Sequence, residues 1–220
     1  MTELITPRFR TVGILIFDEV EVLDFCGPFE VFNVASQTSI HEGSEPLFRV
    51  VTIAERPDMV SCRGDLLVRP HHTIEDHPAL DILLVPGGAG TVQVRDDPRL
   101  LDWIADQAAT VELTTSVCTG AGLLAARGLL DGRRATTHWA SIGWLREHYP
   151  LVDVVEDVRF VDAGSVVTSA GVSAGIDMSL HVVARLHGPE RAARTAPVME
   201  YDGYAGARGA VPSSGADRSR

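Results

Sequence analysis

Short runs of consecutive apolar residues alternate along this chain with segments whose apolar residues recur at every third or fourth position. The runs at residues 11–17, 47–54, 81–85 and 111–117 are typical of strands buried on both faces of a parallel sheet. The spacing at residues 97–109 is typical of an amphipathic helix. This alternation predicts an α/β fold: a single doubly wound, mostly parallel, flavodoxin-like sheet sandwiched by helices.

Turn and helix signals complete the predicted order of elements. We expect a helix at residues 29–37 opened by Gly27-Pro28, and a short hairpin at residues 59–68. The other expected strands lie at 133–137, 151–155, 159–161 and 166–169, and the other helices end near 128, 148, 187 and 201. Residues 1–204 then form one α/β domain. Residues 205–220, rich in Gly, Ser, Ala and Arg, are expected to be a disordered tail.

The amino-acid composition limits the kinds of molecule that this protein is expected to bind. The 220 residues carry a formal net charge of −11 and 45% hydrophobic residues, so a core can form, whereas nucleic acid and anionic membranes are disfavoured as partners. No apolar run is long enough for a membrane span, and the first ten residues lack the apolar core of a signal peptide. Three cysteines without framework spacing favour free thiols and a cytoplasmic location.

The segment at residues 111–122 has the pattern of a nucleophile elbow. A β-rich run ends at Cys118, and small residues stand two positions before it (Ser116) and two after it (Gly120), as the sharp strand-to-helix turn requires. A helix N-terminus behind the sulfur would favour a thiolate. The plainer interpretation, a buried inert cysteine, is the usual one for a free Cys, and we keep it for Cys26 and Cys62.

The carboxyl ends of parallel strands meet at one edge of a sheet, where ligands bind. Asp24 follows the first strand, Gly87-Gly88 the third core strand, and Cys118 the elbow strand, so these segments are expected to share one crevice. Asp24 is then the expected acid/base partner of the sulfur, although it could merely cap a helix, and Glu19 and, less so, Glu21 are rivals.

The turn after the third core strand offers backbone donors to the same crevice. The N–H groups of Gly88 and Thr119 would form a pair that stabilises a developing anion, if the glycines are more than a tight turn. His138 is better explained as a packed or interface residue than as a base. Asp177 is expected at a helix start or in a buried hydrogen bond. The histidines show no metal-ligand spacing, so no metal site is predicted.

These segments resemble the ThiJ/PfpI superfamily, and within it the isocyanide (isonitrile) hydratase branch. The resemblance covers residues 12–201 and rests on the runs Leu-Asp-Phe-Cys-Gly-Pro from Leu23, Ser-Val-Cys-Thr-Gly from Ser116, Arg-Ala-Thr-Thr-His-Trp from Arg134 and Ala-Gly-Ile-Asp from Ala174. It implies Cys118 as nucleophile, Asp24 as its acidic partner, a homodimer and no cofactor. Thr119 stands where the protease-like branch has a histidine, which argues against peptidase activity.

The resemblance implies a cysteine-dependent hydratase. The Cys118 thiolate would attack the carbon of an isocyanide, and Asp24 would supply a proton and then activate water, so that a thioimidate is hydrolysed to an N-substituted formamide. Three alternatives remain open: a cysteine amidase or protease-like hydrolase, a glyoxalase- or deglycase-like enzyme, and a redox or small-ligand sensor. Regulators with this fold carry a helix-turn-helix domain after it, and only residues 205–220 follow the fold here, so a DNA-binding role is not expected.

Overall fold

The computed structural model describes residues 8–203 and 209–210. Its centre is an eight-stranded sheet. The strands are β1 Arg10–Leu15, β2 Phe48–Ala54, β5 His72–Thr73, β6 Ile82–Val85, β7 Leu113–Val117, β10 Phe160–Asp162, β11 Val166–Ser169 and β12 Gly209–Ala210. They lie in the order β12-β10-β11-β7-β6-β1-β2-β5. Every neighbouring pair in the sheet is parallel except the antiparallel pair β10 and β11.

Two pairs of short strands lie outside this sheet. The strands Val60–Ser61 (β3) and Leu67–Val68 (β4) form the expected hairpin, and Arg134–Ala135 (β8) pairs in parallel with Asp153–Val154 (β9). All residues of β1, β6 and β7 are buried, as continuous apolar runs in a parallel sheet predict. The predicted doubly wound α/β architecture is confirmed.

Helices in two groups flank the sheet. The helices Val22–His41 (α1), Ala174–His187 (α6) and Pro189–Val198 (α7) pack against one another, and a second group packs around the helix that follows the elbow. That second group consists of α2 Thr91–Asp96, α3 Pro98–Ala108 and α4 Gly120–Ala125. A short 3₁₀ turn, Trp139–Ser141, leads into α5 Ile142–His148.

The first helix differs from its prediction in a way that matters for the site. It begins at Val22, so Asp24 lies in its first turn, and Pro28 lies inside the helix and not at its start. Proline lacks the N–H that would bond to the carbonyl four residues back, and here that carbonyl belongs to Asp24. The helix α2 was not predicted, because six residues carry too little periodicity.

The C-terminal prediction falls largely outside the described residues. Of residues 205–220, the structure describes only Gly209–Ala210, which pair with Phe160 and Val161 at the sheet edge. Disorder of the rest stays a prediction. Among the described residues, none of the helices combines the length and apolar character needed to cross a bilayer.

Candidate active site

Cys118 occupies a strained strand-to-helix turn. Its φ of 57° is unusual for a residue with a side chain, and it stands between the last residue of β7 and the start of α4. A Cβ at Gly120 would collide with the carbonyl oxygen of Val85, so glycine lets α4 approach the end of β6. The Thr137 hydroxyl donates to the Cys118 carbonyl at 2.7 Å and holds the turn. The predicted elbow is therefore present.

The Gly87-Gly88 turn lies directly against the elbow. A Cβ on Gly87 would be 2.5 Å from the Thr119 backbone nitrogen and 2.9 Å from Cys118 Cβ. Gly88 has a φ of 126°, and its other side touches the backbone between Glu19 and Glu21. The ends of β1, β6 and β7 thus meet in one place, as the sheet topology predicted.

We expect Gly87→Ala to distort the site, because the added methyl group has only backbone and the elbow side chains to displace. Overpacking of this kind costs about 1–3 kcal/mol of unfolding free energy, measurable by urea denaturation. Gly143→Ala is the matched control, since a Cβ there meets nothing within 4 Å in α5 and alanine favours the helix. Equal stability of the two variants would contradict the close contact.

Asp24 is fully buried beneath the elbow. One carboxyl oxygen accepts a hydrogen bond from the Gly87 N–H at 2.9 Å, and the other accepts one from the Val172 N–H at 3.1 Å. The same carboxyl lies close enough to the Cys118 side chain for each group to shift the pKa of the other. Val172 has a φ of 53°, which is strained for a β-branched residue. The structure therefore joins Asp24 and Cys118, which the sequence separates by almost half the chain.

Burial changes the acidity of both partners. It raises the pKa of Asp24 to about 7, with help from the nearby charge of Glu21 and against the Gly87 N–H. Burial also raises the pKa of the Cys118 thiol to about 12; the Asp24 charge adds to this, and the Thr119 N–H and hydroxyl oppose it. The pair therefore holds two protons below about pH 7 and one above it. When Asp24 keeps that proton, its repulsion of the thiolate disappears, and the donors of Thr119 then act only against the effect of burial on the thiol pKa.

The raised pKa of Asp24 predicts a pH dependence of stability. A carboxyl whose folded pKa lies above its unfolded value of 3.8 stabilises the fold at low pH and loses that contribution as pH rises towards about 7. At about 1.4 kcal/mol per tenfold change in proton affinity, the loss is about 4 kcal/mol. The unfolding free energy of wild type minus that of Asp24→Asn should fall between pH 4 and pH 8 in urea titrations. A difference independent of pH would contradict the assigned pKa.

A cavity of about 330 Å³ opens above the sulfur. Its walls include residues for which no role was predicted, and His138, for which packing seemed the better explanation, is also one of them. Of the two rivals of Asp24, Glu21, which was expected to be the weaker candidate, lines the cavity, and Glu19 does not. The Glu21 carboxylate lies 3.6 Å from the Arg63 guanidinium. Around Cys118 and Thr119 the walls are formed by Glu21, Arg63, Gly88, Ala89, His138 and Val172. The sequence analysis recognised Arg63 only as part of a turn, because no local sequence pattern shows that the hairpin lies over the crevice.

The two backbone donors expected to stabilise an anion have different partners here. The Gly88 N–H donates to the Thr119 hydroxyl oxygen at 3.0 Å, while the Thr119 N–H lowers the pKa of the neighbouring Cys118 thiol. A substrate anion would have to displace the Thr119 hydroxyl to reach the Gly88 N–H. The Gly88–Thr119 donor pair therefore stays a prediction.

Asp177 has the structural role expected of it. It is buried near the start of α6 and accepts hydrogen bonds from the Tyr201 hydroxyl at 2.8 Å and the Arg159 Nε at 2.6 Å. Cys62 is fully buried, and burial raises the pKa of its thiol to about 11, which suits the inert role assigned to it. No group of His, Cys, Asp and Glu in the described part of the chain is arranged to hold a metal ion.

Comparison with known proteins places this geometry in a family. The model of the DJ-1/PfpI family matches residues 10–185, which include the elbow, Asp24 and the glycine turn. The chain belongs to the DJ-1/PfpI family. A solved member of the family, a ThiJ/PfpI protein from Pseudomonas syringae, is 29% identical with a TM-score of 0.79, over 92% of this chain and 79% of that one.

Curated relatives in the DJ-1/PfpI family differ in their functions. Isonitrile hydratase from Pseudomonas putida is 38% identical over 192 residues, covering 86% of this chain and 78% of that protein. The HTH-type transcriptional regulator CdhR from Pseudomonas aeruginosa is 36% identical over 178 residues, covering 81% of this chain. This chain spans about half the length of that regulator, 51%. The family therefore includes both an enzyme and a regulator close to this sequence.

Proposed function

We propose that this protein hydrates isocyanides to N-substituted formamides, with Cys118 as nucleophile and Asp24 as acid and base. The observation that carries the proposal is the contact between a thiol on a strained elbow and a buried carboxyl whose pKa is raised to about 7. Such a carboxyl can carry a transferable proton near neutral pH. The similarity to isonitrile hydratase supports the choice of substrate class.

The first step forms a covalent bond. The Cys118 thiolate attacks the terminal carbon of the isocyanide while Asp24 gives its proton to that carbon. The product is a thioimidate, R–N=CH–S–Cys118, and Asp24 is left as a carboxylate. The Gly87 and Val172 N–H groups stabilise that carboxylate, because both already donate to its oxygens.

The second step consumes water. The Asp24 carboxylate orients a water molecule, whose oxygen adds to the thioimidate carbon while one of its protons passes to the nitrogen. The carbon–sulfur bond then breaks, the remaining hydroxyl proton returns to Asp24, and the thiolate leaves with the electron pair. The product is R–NH–CHO, and the pair regains its single proton. No metal or organic cofactor takes part in this scheme.

A non-catalytic ligand domain is the second candidate. The 36% identity to CdhR favours it, because that relative is a transcriptional regulator. The same cavity would then hold a small molecule without reacting. An amidase- or glyoxalase-like activity would use the same cysteine on a carbonyl carbon, but no described observation favours it over the hydratase.

The assay that decides among these functions follows a simple alkyl isocyanide and its formamide by mass spectrometry. Isocyanide loss matched by formamide gain is expected for the wild-type protein. Rapid quenching during turnover should also leave the mass of the substrate on the peptide that contains Cys118. Absence of formamide, with retained binding of the isocyanide, would favour the ligand domain.

We also propose that the protein acts in the cytoplasm as a homodimer on a small-molecule substrate, without nucleic acid or membrane partners. These proposals rest on the family resemblance, on the charge of −11 and on the free thiols of Cys26, Cys62 and Cys118. Light scattering in solution tests the dimer directly.

A further inference from the structure

A pair of opposite charges at the rim of the cavity takes no part in the two proposed steps. The carboxylate of Glu21 lies 3.6 Å from the guanidinium of Arg63, and both residues line the cavity above Cys118. We call Glu21 and Arg63 the rim pair. Both side chains are partly exposed to solvent, so the pair contributes little to stability. Its effect is therefore to be sought in the site that it lines.

Backbone hydrogen bonds fix the position of both members of the rim pair. The Glu21 N–H donates to the Gly87 carbonyl at 2.9 Å, which ties the residue to the glycine turn beside the elbow. The Arg63 N–H donates to the Val20 carbonyl at 3.0 Å, which places the turn of the β3–β4 hairpin next to Glu21. The packing of the hairpin on the start of α1 therefore brings the two charges together.

Glu21 also lies close to the buried acid. It occupies the N-cap position of α1 without a capping hydrogen bond from its side chain, and it stands three positions before Asp24. The Asp24 N–H donates to the Glu21 carbonyl at 3.1 Å, and residues three apart in a helical turn are neighbours. Burial is the main cause of the raised pKa of Asp24, and the charge of Glu21 adds to it. A guanidinium beside Glu21 offsets part of that charge.

The other charged groups near Asp24 have partners or roles of their own. The titratable and charged side chains on the elements around Asp24 are Glu21 on α1, Arg63 on the hairpin, Cys118 on the elbow, His138 before the 3₁₀ turn, and Asp177 on α6. Asp177 is already paired with the Arg159 guanidinium. Among the described residues that line the cavity, Arg63 is the only one with a permanent positive charge.

We propose that Arg63 is a positioning residue that acts through Glu21, so that the rim pair sets how readily Asp24 gives up its proton and hence the pH range of turnover. This inference rests on the hydratase function proposed above. Neither member of the rim pair forms a bond or takes a proton in the reaction. Arg63 holds the Glu21 carboxylate and weakens its repulsion of the Asp24 carboxylate, which makes the buried acid a better proton donor.

The test is a double-mutant cycle on the pH profile of kcat/KM for a simple alkyl isocyanide. Glu21→Gln should move the midpoint of the rise to lower pH by about 0.5 unit or more, the effect of one charge about 6 Å away even in water-like surroundings. Arg63→Gln should move the midpoint to higher pH by about 0.3 unit, because the charge of Glu21 is then not offset. The double variant should match Glu21→Gln, because Arg63 acts through that carboxylate.

Two further variants show whether the charge of Arg63 is responsible. Arg63→Lys keeps the charge and should restore the wild-type midpoint. Arg69→Gln is the matched control, because Arg69 is exposed, directly follows β4 and does not line the cavity, so the midpoint should stay in place. A wild-type midpoint in Arg63→Gln would overturn the proposal. So would a shift in the double variant equal to the sum of the two single shifts, since Arg63 would then act independently of Glu21.

A second measurement does not depend on turnover. If formamide is formed at no pH, the hydratase function is wrong, and urea denaturation decides the role of the rim pair. The unfolding free energy that is lost on adding Asp24→Asn should fall as pH rises and level off above the folded pKa of Asp24. The levelling should occur at lower pH in the Glu21→Gln background and at higher pH in the Arg63→Gln background than in wild type. Levelling at the same pH in all three would overturn the proposal.

Discussion

Replacing Cys118 by alanine is expected to abolish formamide formation, with a loss in kcat of about 10⁴-fold or more, the scale on which enzymes depend on a covalent nucleophile. In the proposed scheme no other group can form the thioimidate, because the cavity walls contain no second thiol or amine nucleophile among the described residues. The measurement is formamide release by mass spectrometry at saturating isocyanide. The covalent adduct on the peptide with residue 118 should disappear as well.

The control for this experiment is Cys26→Ala. Cys26 is a free, half-buried cysteine of α1 that does not line the cavity, so its variant should keep formamide formation within about twofold of wild type. Because alanine at residue 118 must also adopt a positive φ, circular dichroism and urea denaturation establish that the variant folds. A folded Cys118→Ala protein that works within tenfold of wild type would refute covalent catalysis by this residue.

Asp24→Asn is expected to lower kcat/KM by about 10²–10⁴-fold, the usual contribution of a positioned acid or base. The amide fills the same space but can neither give nor accept a proton as the carboxyl does, and it can satisfy only one of the two N–H groups, of Gly87 and Val172, that now donate to it. In wild type the pair loses its second proton near pH 7, so kcat/KM should rise with pH through that value. The variant should lack this rise.

Glu19→Gln is the matched control for Asp24→Asn. Glu19 lies in the loop before α1, is exposed, and does not line the cavity, so removal of its charge should change kcat/KM less than twofold. If Glu19→Gln is as inactive as Asp24→Asn, the proton passes through the loop and not through the buried carboxyl. If Asp24→Asn keeps the pH profile of wild type, another group titrates near pH 7.

Much of the fold could be predicted because its signals are local. The apolar runs that form β1, β6 and β7 are short and are bounded by turns. A strand that is buried on both faces has such a continuous apolar run, so these strands could be recognised from the sequence. The start of α1 was missed because Gly27-Pro28 is a typical opening of a helix, whereas here the helix has already begun at Val22.

The candidate site could be predicted only in part. The convergence of Asp24, Gly88, Cys118 and Thr119 could be predicted, because each follows a recognisable strand and the ends of parallel strands meet; the roles assigned to these residues stay predictions. The side chains that complete the cavity come from elements without such a signal. Arg63 lies on a hairpin turn and Val172 in the loop before α6, and no spacing relates either residue to the elbow.

The sequence by itself determined the turn at Cys118. Small residues at Ser116 and Gly120, between a buried strand and a helix, encode the elbow within about ten residues, because backbone sterics act locally. Only the tertiary structure decided the chemistry around that sulfur. The proton on Asp24 depends on burial and on N–H groups from Gly87 and Val172, since desolvation arises only when distant segments come together.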